Sequence, residues 1–297
     1  MSRIRMAFLL GLTLAAVLAA GVAAATPDPL VLYISSLHPV TPYFATLRVD
    51  MPTGTAHLEE LSTGAGVFVR SPEAWPMMGE HGMMGRPAGQ IFRRDEEALS
   101  SPELLRKNYT VKLRDGETAL GRPTYRLELL PKWSGAIRRT VLLDRDTLVT
   151  LRVEDWDHAD ALVQRQEVTQ IDFNPDTRLF TVESPRAASG QADRYVSLGE
   201  AAEVLGFRPA QPKYLPPGFS LYGVRLSPAH PGVAHLVFTD GLTIISLFER
   251  AVPWWARLGG ALSRQSEHGY SLSRGGLAHY LVGDVPPVEL QRMLESL

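Results

Sequence analysis

The segment Thr124-Tyr125-Arg126-Leu127-Glu128-Leu129 is the clearest indication of how the first half of this chain folds. From Tyr125 to Leu129, aromatic or aliphatic residues alternate strictly with charged ones. Because successive side chains of a strand point to opposite faces of its sheet, a period of two makes one face apolar and leaves the other in contact with water. The pattern therefore predicts an antiparallel sheet with one face packed on a core.

The same period of two recurs from about residue 30 to residue 173, and turn-forming residues such as Arg114-Asp115-Gly116 separate the runs. Consecutive strands joined by short turns form an antiparallel meander, and a long meander curls so that its edges are protected. One helix is predicted over residues 96–107, where Ser101 is typical of an N-cap and Pro102 of the first helical position. The predicted strands are residues 30–34, 44–49, 66–69, 109–113, 125–129, 137–143, 148–153 and 163–173.

The second half of the chain has a different organisation. Ser197 followed by Glu200 fits a capping box, which predicts a short helix that ends near Gly206. Asp240-Gly241 lies between two strand patterns and predicts a tight hairpin. Strands are predicted at residues 219–226, 233–238, 242–248 and 277–282, with a closing helix over residues 288–297. The predicted organisation is a signal peptide (1–25), a mainly β domain (28–183), a linker rich in Ser, Ala, Gly and Gln (184–196) and a small α+β domain (197–297).

The N-terminus has the pattern of a secretory signal. Arg3 and Arg5 precede an uncharged run over residues 6–25, which ends in small residues that include Ala23 and Ala25. Cleavage near Ala25 is predicted, and the alternative is an uncleaved anchor, because the run approaches the roughly 20 residues that span a bilayer. Since no second apolar run of that length follows, the sequence predicts a periplasmic or other extracytoplasmic protein with no membrane span after cleavage.

Composition excludes several classes of function. The 297 residues include 30 Lys and Arg against 32 Asp and Glu, and a net charge of -2 disfavours nucleic-acid binding. Cysteine is absent, which excludes disulfides, thiolate metal sites and cysteine nucleophiles. The sequence contains no G-x-S-x-G, H-E-x-x-H, phosphate-binding glycine loop or Rossmann fingerprint. We therefore expect a protein that is not an enzyme and needs no cofactor.

A methionine-rich stretch is the main candidate binding segment. Residues 76–85 contain four of the eight methionines around one histidine. Thioethers and imidazole can hold Cu(I), which makes a copper site one hypothesis. Flexible methionines also line adaptable surfaces that grip apolar or variable partners, and we favour this second interpretation. The candidate ligand or partner residues are Met77, Met78, Met83 and Met84, and the copper alternative adds His81.

Trp254 and Trp255 form a second candidate binding feature. They follow Pro253 and precede Gly259 and Gly260, which places them in a loop between strands. Exposed tryptophan pairs are typical of partner or membrane surfaces. A loop that packs on its own sheet is an equally good interpretation, and the sequence leaves both open.

Several segments resemble proteins of the MucB/RseB family, which are extracytoplasmic regulators of sigma-E-type stress responses. Residues 124–129, 139–147, 151–153 and 168–173 are similar to strands of the family's sheet. Tyr214-Leu215-Pro216-Pro217-Gly218-Phe219 resembles the family's LPxGF entry. Leu236-Val237-Phe238-Thr239-Asp240-Gly241-Leu242 resembles its YSDGL hairpin, and Gly283-Asp284-Val285-Pro286-Pro287 its GELPP segment. Together these segments cover most of residues 109–297.

The resemblance implies a fold and a function. The fold is a half-open antiparallel β-barrel with helices, similar to the lipoprotein carriers LolA and LolB, followed by a smaller α+β domain. The implied partner is the extracytoplasmic domain of a membrane-spanning anti-sigma factor, and the implied ligand is a lipid or lipoprotein acyl chain that loosens this interaction. Such a chain would enter between sheet and helix, since each buried methylene contributes about 0.8 kcal/mol. A LolA-like lipid or lipoprotein carrier, or a Met/His copper-binding protein, are the alternatives.

Overall fold

The computed structural model describes most of the chain beyond the predicted signal peptide. None of the helices in the described part has the length and apolarity that crossing a membrane would require. The predicted signal peptide lies outside the described residues, as does the linker up to residue 193. The described residues are 27–52, 54–63, 66–72, 91–93, 101–176, 194–227, 230–252, 263–266, 269–283 and 285–297.

In the described residues, the first domain is a nine-stranded antiparallel sheet with two helices. Its helices are α1 (Pro29–Leu37) and α2 (Pro102–Asn108). Its strands are β1 (Tyr43–Met51), β2 (Gly54–Ser62), β3 (Val67–Arg70), β4 (Ile91–Arg93), β5 (Tyr109–Asp115), β6 (Thr124–Pro131), β7 (Arg138–Asp144), β8 (Thr150–Trp156) and β9 (Leu162–Asp172). The strand order is β4-β3-β2-β1-β9-β8-β7-β6-β5. Because β4 and β5 are the two ends of this order, the described sheet is not closed, and the predicted half-open antiparallel architecture is confirmed.

The second domain is a smaller α+β unit built on its own sheet. Its strands are β10 (Arg194–Val196), β11 (Ser220–Leu226), β12 (Val233–Thr239), β13 (Ile244–Ala251), β14 (Ser263–Ser266), β15 (Gly269–Arg274) and β16 (Leu277–Gly283), in the order β10-β11-β12-β13-β16-β15-β14. Helices α3 (Leu198–Leu205) and α4 (Pro287–Glu295) pack on one face of this sheet. Leu236, Leu247 and Met293 lie at the centre of that core, fully buried. The predicted mainly β, α+β class is confirmed, while the exact domain boundaries stay predictions.

The alternation in β6 has the predicted consequence. Leu127 and Leu129 are fully buried, and Leu127 is aligned with Val141 on β7. Arg126 and Glu128 occupy the opposite face, where they form an ion pair. Each fully buried leucine stabilises the fold by about 1.5–3 kcal/mol relative to an exposed one. The apolar face of the sheet therefore holds α1 and α2 against it, and together they form one core.

The prediction of a strand at residues 30–34 is wrong, because this segment lies in helix α1. The carboxylate of Asp28 accepts a hydrogen bond of 2.9 Å from the amide of Leu30, and Pro29 occupies the first helical position. These two features start a helix. The helix also buries Leu30 and Tyr33 against the sheet. A short apolar run has no clear period, so the capping residue was the better signal.

Other boundaries differ in smaller ways. Strand β2 was not predicted, because its buried positions include Glu60 and break the expected alternation. Helix α2 begins at Pro102 behind the Ser101 cap, and residues 96–100 of the predicted helix lie outside the described residues. The last three residues of the predicted linker form β10, which pairs with β11. The capping box of Ser197 and Glu200 is confirmed.

The hairpin predicted at Asp240-Gly241 exists, but its connection is longer than a two-residue turn. Strand β12 ends at Thr239 and β13 begins at Ile244, which leaves four residues between them. Gly241 has a φ of 98°, whereas Asp240 does not have positive φ. We call residues 240–243 the Asp240 turn. Its conformation is stabilised by the side chain of Asp240, as described below, and not by two left-handed residues.

Candidate functional site

The candidate site is the junction between the two domains, and Asn108 lies at its centre. This residue ends α2 and is almost completely buried. Its side-chain nitrogen Nδ2 donates hydrogen bonds to the backbone carbonyls of Gly218 (2.9 Å) and Asp240 (2.8 Å). Its side-chain oxygen accepts a hydrogen bond of 3.2 Å from the indole of Trp133. One buried carboxamide thus links two loops of the second domain to the β6–β7 connection of the first.

Tyr109, the first residue of β5, makes a second polar contact across the junction. Its hydroxyl donates a hydrogen bond of 2.5 Å to Oδ2 of Asp240, and both residues are buried. Burial raises the pKa of the Tyr109 hydroxyl far above its ordinary value, and the neighbouring Asp240 carboxylate raises it further. The hydroxyl therefore remains protonated and remains a hydrogen-bond donor to Asp240 at physiological pH.

The Asp240 turn holds its own shape through the other oxygen of the same carboxylate. Oδ1 of Asp240 accepts hydrogen bonds from the amides of Leu242 (2.9 Å) and Thr243 (2.8 Å). The hydroxyl of Thr239 donates to the carbonyl of Thr243 and accepts from the amide of Gly241. Local side-chain caps of this kind satisfy backbone amides that a turn leaves without partners.

Leu242 projects from this turn into the core of the first domain. Only 2% of its surface is exposed. It belongs to the apolar cluster formed by α1, α2 and strands β5 to β7, although its own strands lie in the second sheet. The first-domain members of this cluster include Leu30, Tyr33, Leu105, Tyr109, Leu129 and Val141. An acyl chain is expected to enter between sheet and helix, and in the structure the side chain of Leu242 lies at such a position.

Two glycines at the junction permit close approach of the chains. A Cβ on Gly241 would lie 2.8 Å from the backbone nitrogen of Leu105 and 3.0 Å from Cβ of Leu104. A Cβ on Gly218, whose φ is 87°, would lie 3.0 Å from the side-chain oxygen of Asn108. Side chains at these positions would force the loops of the second domain away from α2.

Beside Leu242 lies a half-open cleft of about 190 Å³ between the two domains. Ile137 and Val163 line it from the first domain, and Ile244 lines it from the second. Arg139 and Asp155 also contribute to its walls as a bidentate ion pair, with N–O distances of 2.6 and 2.7 Å. The cleft therefore combines apolar side chains with charges that neutralise each other.

The Arg139 guanidinium is fixed on two sides. Besides its pair with Asp155, it donates a hydrogen bond of 3.2 Å to the hydroxyl of Tyr33 on α1. Burial acts to lower the pKa of Arg139, but the Asp155 carboxylate and the Tyr33 hydroxyl outweigh this effect and raise the pKa well above its ordinary value. Arg139 therefore remains charged and joins α1 to strands β7 and β8 at the edge of the cleft.

The binding residues predicted from the sequence all lie outside the described residues. This applies both to the copper alternative and to the adaptable binding surface, so both stay predictions. Within the described residues, no group of three or more His, Cys, Asp or Glu side chains is arranged to hold a metal ion. The residues concerned are Met77, Met78, His81, Met83, Met84, Trp254 and Trp255.

The three second-domain segments that carried the family resemblance, residues 214–219, 236–242 and 283–287, each contact the first domain at the junction. Gly218 belongs to the first of them and lies against Asn108. The Asp240 turn contains the end of the second. Pro286 belongs to the third, and its ring lies 3.4 Å from where a Cβ on Gly135 would be. The sequence predicts these motifs to be structural turns, and it predicts no binding role for Asn108 or Tyr109.

Comparisons with known proteins agree with this architecture. No family model matches the chain, and no curated protein matches it in sequence. Among solved structures, a chain of the MucA/MucB complex from Pseudomonas aeruginosa is 18% identical with a TM-score of 0.60, over 90% of this chain and 97% of that one. MucB in complex with MucA(peri) is 20% identical with a TM-score of 0.57, over 90% and 96% of the two chains.

A structure of MucB determined without a named partner is also similar, at 19% identity and a TM-score of 0.57. It covers 90% of this chain and 95% of that one. The agreement therefore includes both sheets and the order in which they follow each other along the chain. This chain has a MucB/RseB-like fold.

Proposed function

We propose that this protein is a non-enzymatic extracytoplasmic regulator that binds the extracytoplasmic part of a membrane-spanning anti-sigma factor. The observation that carries the proposal is the likeness to MucB across both domains, including two structures that contain MucA. The family that the sequence resembles acts by such binding. Export by the N-terminal signal, with cleavage near Ala25, is part of the proposal.

The arrangement of the domains supports a regulator better than a carrier. A carrier of the LolA type needs only the first domain, whereas here a turn of the second domain completes the core of the first. Removing the second domain would leave the site of Leu242 open to water. Docking of the second domain therefore determines whether the core of the first domain is closed. A regulator requires such a coupling between its parts, because a ligand acts by shifting the balance between two states.

A lipid-like ligand belongs to the proposal as a modulator. The apolar lining of the cleft by Ile137, Val163 and Ile244 supports this part. A ligand shifts a binding equilibrium only by its difference in affinity for the two states. We therefore expect such a ligand to bind the free protein and the partner-bound protein with different affinities. The copper alternative rests on residues outside the described part and stays a prediction.

The test is affinity capture followed by direct binding. Residues 26–297 are used to capture proteins and lipids from a detergent extract of the protein's own cells. We expect a single-span membrane protein with a cytoplasmic sigma-binding region, and its extracytoplasmic segment should bind the purified protein in calorimetry. The extracytoplasmic segment of an unrelated single-span protein serves as the control. Recovery of lipid or lipoprotein without such a partner would contradict the regulator and favour a carrier.

A further inference from the structure

The core between α1, α2 and the first sheet is completed by a side chain that belongs to the other domain. Leu242 belongs there to the same buried apolar cluster as Leu105 and Leu129. Leu242 lies in a short turn of the second sheet, and it inserts its apolar side chain into the core of the first domain. The first domain therefore contains a site that accepts a branched alkyl group, and in the structure the occupant is Leu242.

This occupant can leave without loss of structure in its own domain. Within the Asp240 turn, Oδ1 of Asp240 accepts from the amides of Leu242 and Thr243, and the hydroxyl of Thr239 donates to the carbonyl of Thr243. Among the described residues, withdrawal of the turn breaks only the hydrogen bonds from Asn108 and Tyr109 to Asp240, whose oxygens then accept from water. The core of the second domain consists of other side chains, such as Leu236 and Leu247, and does not include Leu242. Separation of the domains would therefore expose Leu242 and its site while each sheet remained folded.

The site borders a cleft at the junction whose lining is mainly apolar but also includes Gln164 and Thr243. The cleft beside Leu242 is lined by Ile137 and Val163 of the first domain. The charges in its wall, on Arg139 and Asp155, already form a bidentate pair. Among the described residues of the lining, no unpaired charge therefore favours a charged ligand over an apolar one. A site that holds a leucine side chain and borders such a cleft has the chemistry to bind a longer alkyl chain.

We propose that Leu242 is an internal competitor for an alkyl-chain site in the first domain. The alkyl chain of a fatty acid binds between α1, α2 and the first sheet only when the Asp240 turn withdraws, so ligand binding and the docked arrangement of the domains exclude each other. This inference rests on the lipid-modulated regulator proposed above, and it adds the position of the ligand and the device that controls its access.

The test compares two glycine substitutions in the same sheet. Gly241→Ala places a methyl group against the backbone of Leu105 and pushes the turn away from α2. Gly275→Ala is the control, because Gly275 also has positive φ in a hairpin, but no atom of the described residues lies within 4 Å of its added Cβ. The probe is the fluorescent long-chain fatty acid cis-parinaric acid.

We expect Gly241→Ala to bind the probe about tenfold more tightly than the wild type. In the variant, Leu242 no longer occupies the site, so the probe does not have to displace it. Gly275→Ala should bind the probe as the wild type does. Equal affinities in all three proteins, or no binding to any of them, would overturn the proposal. The proposal would also be overturned if the affinity of Gly275→Ala for the probe increased as much as that of Gly241→Ala.

A measurement on the wild type covers the case in which Gly241→Ala does not fold. Saturating probe should increase hydrogen exchange at the amides of Leu242 and Thr243, whose bonds would become accessible to solvent. It should not change exchange at Leu247 in the core of the second domain. Unchanged exchange at Leu242 in the saturated protein would overturn the proposal. Binding of an anti-sigma factor segment is measured separately, so its absence would contradict the proposed function and leave these results as they stand.

Discussion

The Asp240 turn and the turn at residues 144–147 have the same local structure but different surroundings. We call the second one the Asp144 turn. In each, one carboxylate oxygen accepts hydrogen bonds from the amides two and three residues later and from the hydroxyl of the threonine three residues later. In each, the aspartate is buried and its other oxygen has a partner from another strand or loop.

The two turns differ in what that partner is and in what the third residue contacts. The partner of Asp144 is the guanidinium of Arg122, in the same domain, whereas the partner of Asp240 is the phenol of Tyr109, in the other domain. The third residue is Asp146 in one turn, with an exposed side chain, and Leu242 in the other. The same Asp-x-x-Thr chemistry therefore closes a hairpin in each sheet. At Asp240 the turn also docks a domain, through Leu242 in place of the exposed Asp146 and through Tyr109 in place of Arg122.

The largest effect is expected from exchanging the third residue of the turn. Leu242→Asp removes a buried leucine and brings a carboxylate to an apolar site, which should lower the free energy of unfolding by about 4 kcal/mol. The reciprocal Asp146→Leu changes an exposed position and should stay within about 0.5 kcal/mol. Urea unfolding followed by tryptophan fluorescence measures both. Equal losses in the two variants would show that the turns are not distinguished by their third residue.

A smaller effect is expected from removing the carboxylate of the docked turn. Asp240→Ala leaves the amides of Leu242 and Thr243 and the hydroxyl of Tyr109 without their acceptor, which should cost about 2–3 kcal/mol. The matched control is Asp157→Ala, because Asp157 also accepts bonds from two amides of its turn but is only partly buried. We expect a clearly smaller loss for Asp157→Ala in the same urea experiment. A loss at Asp157 as large as that at Asp240 would argue against the role of burial.

The phenol at the domain junction predicts sensitivity to alkali. Tyr109→Phe should cost about 1.5 kcal/mol at pH 7, because a bond to a charged acceptor is lost. Since the pKa of Tyr109 is raised in the folded protein, its contribution is fully present below the unfolded value of about 10 and is lost as pH rises above it. The difference between wild type and Tyr109→Phe should thus shrink above about pH 10. A difference that stays constant up to pH 11 would contradict this assignment.

The sequence allowed the sheets to be predicted because their signal is local. Strict alternation at residues 125–129 and the cap at Ser197 depend on neighbours in the chain, and the structure confirms both. The segment at residues 30–34 failed because a short apolar run fits a helix as well as a strand, and Asp28 decided the outcome.

The candidate site could be predicted only in part. Asp240 and Gly241 predicted a hairpin from the local sequence. Where Leu242 packs depends instead on contacts between segments more than 100 residues apart, such as the hydrogen bond from Asn108 to Asp240. The repeated Asp-x-x-Thr pattern at Asp144 and Asp240 was a usable signal for two capped turns. Nothing in that pattern distinguishes the turn that docks from the turn that does not.

The guanidinium partner of the Asp144 turn predicts the opposite response, a sensitivity to acid, and this is the smallest effect. Burial acts to raise the pKa of Asp144, but hydrogen bonds from Arg122 and Thr147 outweigh burial and hold the pKa below its ordinary value of 3.8. A carboxylate with a lowered pKa stabilises the fold above the unfolded pKa, and this contribution is lost as pH falls through the folded value. Wild type should therefore lose stability below about pH 4, while Asp144→Asn, which is less stable at pH 7, should show a weaker dependence there. Thermal unfolding between pH 3 and pH 7 measures the two curves. Parallel curves would mean that Asp144 does not contribute to the acid response, and the two turns would then differ in their contacts but not in their pH dependence.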